Sequence, residues 1–207
     1  MIRFLGGSVL AAAVVCLALP VEAAKMGVLP TNQTVLVITG ELVKGDDAKF
    51  RALLEQHPVR QLYLDSKGGD YYAALEIALE VYMHGIATVA PVANQCTEGG
   101  DQVCMCASAC VFVWAAGRPR FGNMVVVHAS DPPDLKDADP VSRTNALAAI
   151  KAHMQDMLRK FGTPEIVVEA AVNTPNQSPR RLSEDELQAM QPFTYVPDDD
   201  RAQGKVP

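Results

Sequence analysis

VRQLYLDSKGGDYYAALEIALEVYMHGIATVA, residues 59–90, carries a strand, a glycine pair, a helix and a second strand in succession. Residues 59–64 (VRQLYL) read as a strand that ends in Asp65-Ser66-Lys67-Gly68-Gly69. Residues 71–84 place Leu75, Ala78, Leu79 and Tyr82 at spacings of three and four, one apolar helix face, and Gly85 is the stop signal. Residues 86–90 form the next strand. The same alternation continues outward. Upstream, 34–39 (TVLVIT) is a β-branched strand closed by Gly40, and 46–56 is a helix with Phe50, Leu53 and Leu54 on one face and Pro58 beyond it. Downstream, a cysteine-rich loop leads to an apolar helix from about residue 108 to 116, stopped by Gly117, and then to a strand at 124–128 (MVVVH). Strands alternating with helices predict an α/β fold with a largely parallel sheet. Right-handed crossovers then bring the strand C-termini to one edge, where sites in such folds lie.

The second half reads as helical. Asp139 caps a helix begun by Pro140, with Leu147, Ile150, Met154, Met157 and Phe161 at helical spacing and Gly162 as its stop. Thr163-Pro164-Glu165 opens another helix, to about residue 172. Ser183-x-x-Glu186 is a capping box before a short third one. The chain end is polar, includes Asp198-Asp199-Asp200, and is expected to be a flexible tail over 193–207.

Composition narrows the function. The 207 residues carry 18 basic and 24 acidic side chains, a net charge of -6, which argues against the clustered basic surface that nucleic-acid binding needs. Hydrophobic residues at 49% exclude disorder as the main state. The N-terminus has a lone charge, Arg3, then an apolar run from Phe4 to Leu19, then Pro20 and Val21-Glu22-Ala23. The run falls short of the roughly 20 residues a bilayer span needs. It reads as a secretory signal (1–23) cleaved after Ala23, with an uncleaved membrane anchor as the alternative. The folded domain is then expected over 24–192, in the periplasm or outside the cell, meeting a membrane at most in passing.

Cleavage removes Cys16 and leaves Cys96, Cys104, Cys106 and Cys110. An even number in an exported chain reads as two disulfides, of three connectivities; free thiols and a thiolate metal site are the rival readings. The spacing is not a standard zinc pattern, and no metal is expected.

Ser108 stands in Cys106-Ala107-Ser108-Ala109-Cys110, ahead of the apolar helix. Its hydroxyl is either a helix cap or a nucleophile exposed at a turn, with the Ala109 N–H aimed at a developing oxyanion. Gly68-Gly69 is either a tight turn or a pair of close-approaching backbone donors. His128, ending the VVV strand, is either a packed side chain or a base. Taken together at successive strand ends, they supply the oxyanion donors, nucleophile and base of acyl transfer. Phe112 and Trp114 read as core.

Here the chain resembles a family. Leu62-Tyr63-Leu64-Asp65-Ser66-Lys67-Gly68-Gly69 is similar to the strand and Gly-Gly loop of ClpP, the Clp protease proteolytic subunit. Cys106-Ala107-Ser108-Ala109 resembles its Ala-Ala-Ser-Met nucleophile turn, and Cys106 to Cys110 the turn of exported bacterial ClpP-like proteins. Ala115-Ala116-Gly117, Arg120 and Val125-Val126-Val127-His128 resemble its Ala-Gly, basic-residue and Met-Ile-His segments. Leu182-Ser183 with Glu186 and Ala189 resembles the stretch near its C-terminus. The likeness runs in order from about Val35 to Met190.

The resemblance implies the ClpP/crotonase fold, a spiral of βα units followed by helices. It implies Ser108 as nucleophile, His128 as general base, and Gly68, Gly69 and Ala109 as the oxyanion segment. It implies a homo-oligomer and a peptide or protein substrate, with no cofactor. Export separates the chain from ATP-driven unfoldases, so the expected activity is ATP-independent. Export also removes the CoA supply for acyl-CoA chemistry on this fold. Where the family's catalytic Asp should fall stand Asn173, Thr174 and Pro175. Asn173 is the candidate third member, with Asp131 and Glu169 as substitutes and Lys67, in place of the family's Pro, as an alternative base. A disulfide from Cys96 or Cys104 to Cys106 or Cys110 is the preferred pairing. The alternative to a serine peptidase is a weak or inactive binding or scaffold protein of the same fold.

Overall fold

The structure, a computed structural model, describes residues 23–96, 103–130, 132 and 135–190. The signal segment up to residue 22, Asp131 and the tail from 191 lie outside the described residues.

The central strands are β2 (Asn32–Leu42), β3 (Gln61–Gly69), β4 (Ala87–Val89), β5 (Cys106–Ala107), β6 (Arg120–Phe121) and β7 (Val125–Val127). All pairs among them are parallel, as the alternation with α1 (Asp46–Gln56), α2 (Tyr71–His84) and α3 (Cys110–Ala116) predicts. Antiparallel strands close the two ends: β1 (Lys25–Leu29) on β2, and β8 (Arg180–Arg181) on β7. β3 is the branch point. Its first half pairs with β4, which continues to β6, whereas Ser66 further along pairs with Cys106 of β5, which continues to β7 and β8. One long strand thereby joins two branches of an eight-stranded sheet.

Two predicted boundaries are corrected. The 65–69 segment is strand rather than loop, because it pairs with Glu41 and Leu42 of β2 on one side and with β5 on the other. The helix begins at Cys110, not Ser108, because Ser108 sits at φ +56, outside helical geometry. The strands β1, β5, β6 and β8 carry too few residues to leave a period in the sequence, β1 apart, whose Gly27 interrupts it.

The helices settle by their apolar faces. α2 buries Ala74, Ile77, Ala78 and Val81, with Asp70 capping its start through Ala73 N–H at 2.8 Å. α3, CVFVWAA, is buried at all seven positions, as a helix apolar on every side must be. Then come α4 (Pro140–Lys160), α5 (Glu165–Asn173) and α6 (Glu184–Ala189). α4 buries only Met154 and Leu158, so its N-terminal half projects with Val141 exposed.

The Ser183–Glu186 capping box forms as expected: Glu186 N–H donates to Ser183 Oγ, and Ser183 N–H to the Glu186 carboxylate at 2.7 Å. Arg180 adds a two-pronged ion pair at 2.6 and 2.7 Å. The Arg180 guanidinium, opposed by burial and helped by Ser183, holds the Glu186 carboxyl below its ordinary range. A depressed carboxylate stabilises the fold above its unfolded value, about 4.3, and loses that contribution as pH falls through its lower folded value. Glu186→Gln is therefore expected to melt below wild type at pH 7, with the gap closing below about pH 4. Melting curves from pH 3 to 7 measure this; a gap that stays constant contradicts it.

Candidate active site

Strand register assembles the site. Ser66 of β3 pairs with Cys106 of β5, and Cys106 with Val125 of β7. Two residues onward along parallel neighbours come Gly68, Ser108 and Val127, with His128 next. Three segments distant in sequence thus end side by side at one sheet edge, where parallel strands present their C-termini.

At the middle of the three, the chain leaves β5 through Ser108, in the left-handed region at φ +56. Ser108 N–H donates to Val126 O at 3.1 Å, and Ser108 O accepts from Val111 N–H at 3.0 Å. The side chain is not the helix cap: Ala109 holds that position, without a side-chain hydrogen bond. Gly68 lies directly against the turn. A Cβ there would stand 2.6 Å from Ala107 O, 2.7 Å from Ala109 N and 2.8 Å from Ser108 Cβ, and its φ is +93. Gly69 is equally crowded from the other side, by Leu42 O at 2.2 Å. Gly68 N–H donates to Ser66 Oγ at 3.1 Å.

Ser108 and His128, both half-buried, line one small cleft, walled by Val111 and Phe112 of α3, Met154 of α4 and Ala171 of α5. No hydrogen bond joins Ser108 Oγ to His128 among the described residues. His128 Nδ1 lies 2.9 Å from Ala129 O. A carbonyl only accepts, so Nδ1 is the donor in this contact, which leaves Nε2 as the ring nitrogen that can act as base. Ala129 is itself tied to the end of α5, its N–H donating to Thr174 O at 2.6 Å. The 173–175 segment therefore reaches the histidine through main chain.

Asn173 does not meet the imidazole. Its amide donates to Glu169 and accepts from Lys151 Nζ, on the outer side of α4 and α5. Glu169 is spent on the same cluster, with Gln155 at 3.2 Å. Lys67 is exposed and alternates away from buried Ser66 and Gly68, so the burial that a lysine base needs is missing. A wider open groove, about 510 Å³, runs elsewhere, past Ile166, Asn173, Pro175, Arg180 and Glu186, and no histidine or cysteine among the described residues lines it.

The four cysteines form two disulfides, but not with the expected pairing. Cys96 joins Cys104, and Cys106 joins Cys110 across the Ser108 turn. The left-handed turn brings the end of β5 and the start of α3 to a Cα separation of 5.3 Å, within disulfide range. Cys106 and Cys110 are then fully buried.

Sequence reading missed the Ala129 and Thr174 carbonyls, because main-chain groups leave no residue signal. It placed Phe112 in the core, and the side chain is buried there while also walling the cleft. Met154 and Ala171 showed only as apolar helix positions.

The fold is ClpP-like: a mixed α/β core with a helical C-terminal part. It is similar to the solved structure of a mutant ClpP1 from Listeria monocytogenes, with a TM-score of 0.56 at 12% identity, covering 81% of this chain and 94% of that one. No family model and no curated protein matches the chain by sequence.

Proposed function

We propose that the chain is an exported, ATP-independent serine hydrolase, a peptidase in which Ser108 attacks and His128 serves as base. The observation that supports the reading is the register of β3, β5 and β7, which brings Gly68 against the Ser108 turn, together with the small cleft that Ser108 and His128 share. Ser108 Oγ adds to the substrate carbonyl carbon while His128 Nε2 takes its proton. The oxyanion meets the Ala109 N–H and the Gly68-Gly69 segment, where Gly68 N–H must exchange its Ser66 Oγ partner for the substrate oxygen. His128 returns the proton to the leaving amine, and water then hydrolyses the acyl-enzyme. The imidazolium is held by the neutral Ala129 carbonyl, which stabilises it less than a carboxylate does, so turnover is slow for this class.

Two disulfides suit an oxidising compartment, and with the N-terminal signal they support the periplasm or the exterior. In this reading residues 24–192 are the hydrolase domain, and copies of it assemble as ClpP-fold proteins commonly do.

A fluorophosphonate probe on the mature protein tests the reading. Wild type is expected to be labelled, Ser108→Ala not at all, and His128→Ala at least about 100-fold more slowly. An unlabelled wild type, or labelling that survives Ser108→Ala, sinks it. Among the described residues the His128 ring meets neither Ser108 nor a carboxylate by a hydrogen bond, which favours the second reading, a scaffold of this fold without turnover.

A further inference from the structure

We propose that the Cys106–Cys110 disulfide is a positioning element of the site, holding Ser108 in the left-handed turn that its reactivity requires. The activity part of this inference rests on the hydrolase reading; the structural part does not.

A non-glycine residue adopts positive φ at a cost, and keeps it only when its surroundings over-determine it. The usual supports are thin at Ser108. β5 has two residues, so its ladder to β3 is the single register pair Ser66–Cys106. α3 is short, and its N-cap, Ala109, has no side chain to accept a first-turn N–H. What holds the turn is the two-pair ladder of β5 to β7, the Ser108 N–H bond to Val126 O, the Val111 N–H bond to Ser108 O, the packing of Gly68, and the covalent link from strand end to helix start. That link spans the two residues flanking the turn on each side. A bond closing so short a loop constrains the unfolded chain far less than a long-range one. Its effect therefore falls on the native turn. Both cysteines are fully buried beneath the site, so the bond is part of the packed core rather than a surface staple. Cys96–Cys104, which ends before β5 begins, has no such relation to Ser108 and serves as the internal control.

The experiment compares the mature wild type with Cys106→Ala/Cys110→Ala and with Cys96→Ala/Cys104→Ala, by amide hydrogen exchange and by fluorophosphonate labelling rate. In the first variant, exchange at Ser108 to Phe112 is expected to rise at least tenfold, with α2 unchanged, and labelling to slow at least tenfold. In the second, both stay within about twofold of wild type. Unchanged protection at Ser108 to Phe112 in the first variant overturns the proposal, whatever the labelling rate. If wild type is not labelled at all, the hydrolase reading fails and exchange alone decides the positioning claim. If the first variant does not fold, wild type is reduced by dithiothreitol instead. The dithiol gives two electrons and two protons to the disulfide, yielding two thiols and its own cyclic disulfide. Loss of local protection that reoxidation restores supports the proposal; full protection with both thiols titratable refutes it.

Discussion

Gly68→Ala is expected to lose Ser108 labelling by about 100-fold or more and to melt roughly 10 °C lower. The cause is spatial. The added Cβ would meet three atoms of the nucleophile turn within 2.6 to 2.8 Å, two of them backbone, so no side-chain rotation relieves the clash. The residue also sits at φ +93, which an L side chain adopts at a cost of about 1 kcal/mol or more. Overpacking adds about 1–3 kcal/mol, giving a total near 3 kcal/mol. For a domain of this size that corresponds to roughly 6–12 °C in melting temperature. The turn relieves the crowding by moving away from β3, and a displacement near 1 Å costs about 100-fold in rate. Gly27→Ala is the control, because nothing lies within 4 Å of a Cβ there. A Gly68→Ala protein that melts and labels like wild type would mean that β3 does not brace the turn.

Arg120→Met is expected to destabilise the fold by about 3 kcal/mol, read as a lower urea midpoint at unchanged slope. Arg120 is 1% exposed, and no carboxylate among the described residues pairs with it. Instead Nε donates to Ala115 O and Nη2 to Phe161 O, each at 2.7 Å. These carbonyls lie at the C-terminal ends of α3 and α4, where the helix dipole is negative and four carbonyls lack intrahelical donors. Burial, with Arg118 nearby, pushes the guanidinium down to about 10, so it stays charged at neutral pH. Nη1 is buried without a hydrogen-bond partner among the described residues, so part of the gain is offset. The sign is nonetheless settled by what a substitution leaves behind. Methionine removes the buried charge but strands two carbonyls, and each hydrogen bond to a charged donor is worth about 1.5–3 kcal/mol. Those two helices also wall the cleft through Phe112 and Met154, so labelling by the probe is expected to fall with stability. A midpoint equal to wild type would refute this account.

Residue order alone conveyed the βα alternation, the parallel sheet, the helical second half and the capping box. Each is a local signal: β-branched runs, apolar spacing of three and four, a cap three residues from its partner. Ser108 and His128 were legible for the same reason, since each stands beside a strand or helix whose end it marks. Their nearness was expected from strand ends gathered at one edge, but the register behind it was not legible. It depends on Ser66, Cys106 and Val125 falling in line across three strands, and β5 is too short to leave a pattern. Disulfide pairing likewise depended on the left-handed turn at Ser108, which no propensity assigns to serine.

Asn173 shows the limit most clearly. Its position in the chain suited a partner for the imidazole, but α4 presents Lys151 to it on the outer face, and the ring takes the Ala129 carbonyl. The amino-acid sequence determined which elements form and which groups with reactive chemistry stand at their ends, because helix and strand preferences act over a few residues. Only the tertiary structure decided which of those groups share a cleft and which carbonyl orients the base, because main-chain partners and strand register arise from packing between segments far apart in the chain.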